Sequence, residues 1–427
     1  MHLPMYLLPV LIKQLSIFAN HMEQRKILII TNRVPFPFKD GGNIAMHAMI
    51  EGYHREGWQV YLLCMNTSRH FVAHDQLAKL YTNLNAFEWV DIDNRVRKLG
   101  VIKNYIFSKE PEHAKRFFKA SFREKLAQVC TDFQPDVVQV ESVFLTPYLP
   151  TIKSNCDAIT VLRMHNVEYQ IWQSLSKKYR NRIKQFYLDS LAKRIRNFER
   201  GAWRSYDLLL PITDKDATQV NKLEDVNAMV VAPFSVDISK IKPANPNEKW
   251  VGYHIGAMDW MPNNEGMHWF LDKAWPAIHK AIPRFEFYFA GRDMPDDFKK
   301  LSIPGVHCMD EVPSADDFIA DKKILIVPIW SGGGIRVKIL EAMAATKVFI
   351  TTATGIRGID AKPGEHFMQV QKPADFARAV TWCLENQSAA EAMAEKACDL
   401  IKRKYEHGKV MQNVIAEIER ILNMRKA

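Results

Sequence analysis

The sequence is poor in cysteine. Its six, Cys64, Cys130, Cys156, Cys308, Cys383 and Cys398, form no CxxC pair and no Cys/His cluster of zinc spacing. That argues against a disulfide framework or a structural zinc. Cysteines scattered through apolar segments fit a reducing compartment, so a cytoplasmic location is expected. Beyond residue 21 there is also no apolar run of membrane-spanning length. Residues 1–21 are apolar, but Pro4, Pro9 and Lys13 interrupt them and no basic stretch opens them. They fit neither a span nor a signal peptide, and Met22 offers a second start, so they are read as an extension. The GxxxxGK[ST] loop is missing, as is a GxGxxG that opens a helix, which removes two common nucleotide fingerprints. No stacking-rich nucleic-acid motif occurs, so nucleic acid is not an expected partner.

What is present is a soluble-protein composition, 47% hydrophobic and 25% charged, over 427 residues. That length accommodates two domains of ordinary size. The 58 Lys and Arg exceed the 48 Asp and Glu, for a formal charge of +10. Such an excess points to anionic partners, either nucleotide phosphates or an anionic membrane surface.

The pattern is clearest from Ile324 to Gly358. An apolar run, 324–329, reads as a buried parallel strand. Ser331, Gly332, Gly333 and Gly334 follow, then a helix expected over 335–346 and a strand over 347–352. A glycine turn that opens a helix leaves free N–H groups at the positive end of the helix dipole, a ready anion site. On a helical projection Arg336 falls within the apolar arc of Ile335, Ile339 and Met343. A guanidinium there calls for a partner, and a phosphate is a natural one; the alternative is a side chain that snorkels to water. Lys338 and Glu341 lie on the other flank, as a second phosphate contact or as an ordinary exposed pair.

GGGIRVKILEAMA, preceded by PI and followed by TTATGIRGI, resembles the donor-sugar site of family 4 (group 1) glycosyltransferases. The resemblance implies the GT-B fold, an α/β architecture of two doubly wound Rossmann-like domains facing a cleft. It further implies sugar transfer with retention of anomeric configuration, without a metal or cofactor. The family signature has two glutamates separated by seven residues. Glu341 matches the second and Gly333 stands at the first, so Arg336 and Lys338 are expected to take over part of that contact. Gly332, Gly333, Gly334, Arg336 and Lys338 are therefore the expected donor-phosphate residues, with Glu341 on the ribose hydroxyls.

Elsewhere the chain reads as alternating strands and helices. KILIIT (26–31) is a strand, followed by a loop with Gly41 and Gly42 and a helix capped by Asn43. The resemblance places Gly41 and Gly42 near the donor phosphates and acceptor. The strand over 157–164 ends in His165, Asn166, Val167 and Glu168. Ligands of open α/β sheets bind beyond the carboxyl ends of strands, though a lone histidine is more often structural. MHNVE matches the H-N-x-E stretch of the subgroup, so His165 is expected beside the transferred sugar, with Asn166 and Glu168 nearby. His165 and Glu341 are the expected catalytic residues. A very basic helix is expected over 169–204, with Phe186, Tyr187 and Ile195 interleaved. It reads equally as a solvated face or as a patch for anionic lipid.

The domain boundary is placed in a linker over 233–248, between an acceptor-side domain, 22–232, and a nucleotide-sugar domain, 249–404. Residues 405–427 form a helix that can cross back. GAMDWMPNNEG (256–266) also matches the subgroup, and Asp259, Arg292 and Val312 at strand ends are expected nucleoside or sugar contacts. The D-x-D strings 91–93 and 214–216 are read as incidental. The expected substrates are a nucleotide-diphosphate sugar and a glycan or lipid-linked acceptor of a surface polysaccharide. Two other readings stand beside this: a nucleotide-sugar 2-epimerase, which needs acid/base groups at the sugar carbon, and a non-catalytic nucleotide-sugar-binding protein.

Overall fold

The computed structural model describes residues 24–38, 41–95, 111–177, 179, 181–242, 248–332 and 334–426. The extension 1–21, the stretch 99–107, Lys178, Arg180, Gly333 and linker residues 243–247 lie outside them.

Short β-branched runs make the strands, as expected of strands buried on both faces. The first sheet contains β1 (Lys26–Thr31), β2 (Gln59–Thr67), β3 (Ala86–Ile92), β4 (Val137–Val140), β5 (Ile159–Met164) and β6 (Leu208–Pro211). They pair in parallel in the order β3-β2-β1-β4-β5-β6. The second contains β7 (Lys249–Ile255), β8 (Phe287–Ala290), β9 (Val306–Cys308), β10 (Lys322–Val327), β11 (Val348–Thr352) and β12 (Met368–Val370). Its order is β12-β11-β10-β7-β8-β9, again all parallel. Counted within each half, both sheets have the doubly wound order 3-2-1-4-5-6. Each therefore opens a crevice where the winding reverses, between β1 and β4 and between β7 and β10.

Helices α1 (Gly41–Arg55), α2 (Glu168–Ser176), α3 (Arg182–Ser205), α4 (Met261–Trp269), α5 (Val337–Ala344) and α6 (His407–Lys426) bear on the site. Several differ from the sequence expectation. Asn43 does not cap α1, which already starts at Gly41; its amide donates to the Pro37 carbonyl at 3.0 Å instead. The single basic helix is a hairpin of α2 and α3, because Asn181 starts a new helix by accepting from the N–H groups of Ile183 and Lys184. Helix α4 passes directly into a π-helical turn over Phe270–Ala274. Pro276, which has no N–H to give, lies two residues beyond that turn. In β3 the sequence had shown only a mixed region.

The halves are joined twice. The chain crosses through 233–242 and returns at Tyr405 to His407, and the two crossings are bonded together. Val236 N donates to Tyr405 O at 2.8 Å, and His407 N to Val236 O at 3.0 Å. Ser235 bonds His407 Nδ1 through its hydroxyl at 2.9 Å. Lys404 then pairs with both Asp214 of the first half and Asp360 of the second. Helix α6 lies on the first sheet: Val410, Met411, Val414, Ile418 and Leu422 share one buried cluster with Ile27, Ile29 and Tyr53. Arg25 fixes its far end through a two-point bond to Glu419, at 2.8 and 2.7 Å.

Ile418 is fully buried in that cluster. Ile418→Ala should lower unfolding free energy by about 2–4 kcal/mol in a urea titration, the cost of a core cavity. A loss under about 1 kcal/mol would mean that α6 is not docked on the first domain.

Candidate active site

The glycine turn sits at the carboxyl end of β10. Gly332 has φ +88°, and a Cβ there would come within 2.9 Å of Pro262 and 3.2 Å of Trp260. Only glycine combines that conformation with that contact. Gly334 is likewise in the left-handed region at φ +80°. The turn runs further than the sequence suggested: α5 begins at Val337, and Arg336 is its N-cap residue in extended backbone. Arg336 therefore does not lie on the helical apolar arc. Its guanidinium folds back over the turn, with Nη1 donating to Gly334 O at 2.7 Å and its centre 4.8 Å from the Trp260 ring. Burial, and then the charge of Arg357, lower its pKa to about 10.

Lys338 does not form a surface pair with Glu341. Its ammonium reaches across to β7, with His254 Nε2 at 3.2 Å and Asn263 Oδ1 at 3.1 Å. A side chain at Gly256 would block this route, since a Cβ there would lie 2.3 Å from Lys338 Nζ. His254 is completely buried, and its Nδ1 lies 2.8 Å from the Ile326 carbonyl. A carbonyl can only accept, so Nδ1 carries the proton and Nε2 offers its lone pair to the lysine. Burial and the lysine charge hold His254 well below the ordinary histidine range. Both hydrogen-bond partners of Lys338 are thus uncharged. Burial, and secondarily Arg336, lower the pKa of its amine to about 7.

Glu341 projects from α5 with much of its surface exposed but protein crowding one side. That desolvation, followed by Asp316, raises its carboxyl pKa, while Lys338 opposes the shift. Asp259 and Arg292 form a 3.6 Å ion pair at the ends of β7 and β8, and Arg292 also bonds Asp293. Val312 follows β9 and packs half-buried on the cluster that contains Ile335 and Ile339. Trp260 and Trp330 are both more than a third exposed at this edge, and Trp330 meets Trp269 edge-on at 4.6 Å. The second domain thus gathers Gly332, Gly334, Arg336, Lys338, Asp259 and Arg292 on one edge; Gly333 is outside the described residues.

The first domain holds a separate group. His165 follows β5, and its Nε2 lies 2.8 Å from Glu141, the residue after β4. Burial pushes the Glu141 carboxyl up, but Arg163 and His165 outweigh it, so the net shift is downward. An ionised Glu141 accepts from Nε2–H and leaves Nδ1 as the remaining polar atom of His165. Glu141 also accepts from Gln139, which in turn accepts from Tyr53 Oη at 2.7 Å. Arg163, buried beside them, donates to the Ala45 carbonyl in the first turns of α1 at 2.9 Å. Gly41 starts that helix, where a Cβ would come within 3.6 Å of Phe234 of the crossing segment, with Gly42 next to it. Asn166 bonds Glu168, whose carboxyl is raised to about 7 mainly by burial. Glu199 on α3 closes the loop by accepting from the N–H groups of Glu168 and Tyr169 at 2.8 and 2.9 Å.

The two halves that carry these groups pack against each other. One apolar cluster contains Ala45 and Ile212 of the first half with Ile335, Ile339 and Ile359 of the second. Beside it, a Cβ on Gly358 would come within 3.7 Å of Thr213. The D-x-D strings are engaged elsewhere. Asp91 bonds Asn66 and His74, and Asp93 bonds Arg95. Asp214 pairs with Lys404, and Asp216 bonds Thr213. Sequence reasoning missed Glu141, His254, Asn263 and Arg357 as contributors. Glu141 was within reach, because it ends a parallel strand just as His165 does.

Residues 250–386 match the family model described as "Glycosyl transferases group 1". An "Uncharacterized 44.6 kDa protein in cps region" of Klebsiella pneumoniae is 24% identical over 409 residues, 92% of this chain and 99% of that protein. Among solved structures, HepE of Anabaena in complex with UDP superimposes with a TM-score of 0.64 at 12% identity, covering 93% of this chain and all of that one. The sucrose-phosphate synthase of Thermosynechococcus elongatus gives 0.63 at 12% identity, over 94% of this chain and 100% of that chain. The family match falls on the domain that carries the cationic turn, and the fold likeness extends over both domains: the chain is built on the GT-B fold, and its second domain is similar to group 1 glycosyltransferases.

Proposed function

We propose that the protein transfers a sugar from a nucleotide-diphosphate donor to a glycan or lipid-linked acceptor in surface polysaccharide synthesis, with retention of configuration. The observation that carries this reading is Lys338: a buried amine with only neutral partners, beside Arg336 and a glycine turn at the crevice of the second sheet. A diphosphate supplies the negative charge that this arrangement lacks. The neighbour in complex with UDP and the relative from a cps region are consistent with a nucleotide donor and a polysaccharide setting.

Transfer breaks the bond between the anomeric carbon and the diphosphate oxygen, and negative charge grows on the leaving group. Arg336 and Lys338 sit where they would stabilise that charge without rearranging. Glu341 would accept from the ribose hydroxyls. His165, oriented by Glu141, would bond a hydroxyl or phosphate oxygen of the reacting sugar through Nδ1. Release of nucleoside diphosphate from UDP-, GDP- and dTDP-sugars, with product anomers read by NMR, tests the whole. An epimerase would return an intact nucleotide sugar, and a binding protein would release nothing.

Arg336→Ala should weaken UDP, or the matching diphosphate, far more than the nucleoside, by about 1.5–3 kcal/mol for a lost charge-assisted contact. Equal losses for both ligands would remove Arg336 from the phosphate site.

A second expectation concerns pH. An ammonium binds an anion and a free amine does not, so with a pKa near 7 the affinity of Lys338 for a diphosphate is present below that pH and declines above it. A nucleotide sugar, whose diphosphate does not titrate in this range, should bind more weakly at pH 9 than at pH 6 by calorimetry. Lys338→Met should flatten that profile; the same slope in the variant would assign it to another group.

His165→Ala should lower kcat about 10- to 1000-fold and leave nucleotide affinity nearly unchanged. Normal turnover by a folded variant would place the histidine outside the reaction.

A further inference from the structure

The hairpin of α2 and α3 carries a feature that catalysis does not use. Ile183 is 81% exposed and Phe186 72% exposed, in the first turns of α3. Tyr179 and Tyr187 around the same tip are also exposed. At 100° per residue Ile183, Phe186 and Tyr187 lie within one arc, opposite the face of Leu188, Leu191, Ala192 and Ile195 that packs on the core. Exposed Arg182 and Lys193 flank that arc on one side and Lys184 on the other, and the Lys184 ammonium lies 5.6 Å from the Tyr179 ring. A solvated helix face would be polar throughout. Bulky apolar groups that point outward inside a basic frame have the composition of an interfacial helix.

We infer that the tip of this hairpin docks on an anionic lipid bilayer, with Ile183 and Phe186 entering the interface and the surrounding lysines and arginines held at the headgroups. Charge complementarity selects this occupant, because a second copy of the chain would bring the same positive frame against itself. The hairpin also connects the membrane to chemistry. Helix α2 starts directly after His165-Asn166-Val167, and its nine residues place the tip about 13 Å from that loop. Glu199 on α3 holds the N-terminus of α2 by two bonds, so tip and loop belong to one rigid unit. On the function proposed above, a lipid-linked acceptor resting in the bilayer would present its head beside the reacting sugar. That step rests on the proposed activity; the docking itself does not.

Co-sedimentation of the full chain with vesicles tests the docking without any assay of transfer. Vesicles with about 30% phosphatidylglycerol should bind it at least about tenfold better than pure phosphatidylcholine, and rising salt should reduce the binding. The double variant Ile183→Ser with Phe186→Ser removes only exposed groups, so its melting temperature should match the parent while its binding to anionic vesicles drops about tenfold or more. Lys184→Glu with Lys193→Glu, which keeps the apolar pair, should lose the preference for anionic lipid. Unchanged binding by the serine variant would place any membrane contact elsewhere, the apolar 1–21 segment included, and overturn the proposal. Failure of the parent to bind either vesicle would also overturn it. So would a concentration-dependent dimer that the serine variant abolishes, since the face would then belong to a second copy.

Discussion

The bond between His254 and the Ile326 carbonyl sets the terms for the site. It crosses from β7 to β10, the two strands on either side of the crevice in the second sheet. Because the carbonyl cannot donate, the bond decides which ring nitrogen keeps its proton. The other nitrogen then becomes the acceptor on which the Lys338 ammonium rests. Gly256 leaves room for the lysine stem, and Asn263 supplies the second acceptor. A carboxylate in either place would have paired with the lysine and satisfied it. Neutral partners orient the amine while leaving its charge available to a ligand.

The first domain uses the opposite arrangement. There the buried histidine partner is an ionised carboxylate, and Arg163 offsets its charge. The halves that carry the cation-rich edge and the carboxylate-backed histidine are packed together by the cluster around Ile212 and Ile335. Positive charge accumulates on the second domain, and a single oriented imidazole stands on the first. This division of labour follows from the sheet order, since each parallel sheet exposes its crevice at the carboxyl ends of its strands.

Much of this was legible in the sequence. KILIIT emerges as a strand with the expected limits, because an apolar run of that length bounded by polar residues has few other uses. The glycine turn and the HNVE loop were legible as strand-end features. Errors arose where a side chain outside the local pattern decides the outcome. Arg336 looked helical by period, yet the turn extends to it and makes it a cap. The long basic segment looked continuous, yet Asn181 starts a new helix within it. His254 lay in the middle of a good strand, and nothing local reveals that a lysine 84 residues later would meet it. Long-range partners of this kind are a property of packing and leave no periodic trace.

The crossing helix has a consequence for how the protein is made. The first domain emerges from the ribosome early, but Val410, Val414, Ile418 and Leu422, which cover part of its core, are translated much later. About 210 residues separate the end of β6 from Leu422, so at some 5–20 residues per second the uncovered face waits roughly 10–40 s for its lid. During that interval a nascent chain carries an apolar surface that α6 has yet to cover. A stalled or truncated product would keep that surface permanently, which makes it a natural client for chaperones and proteases.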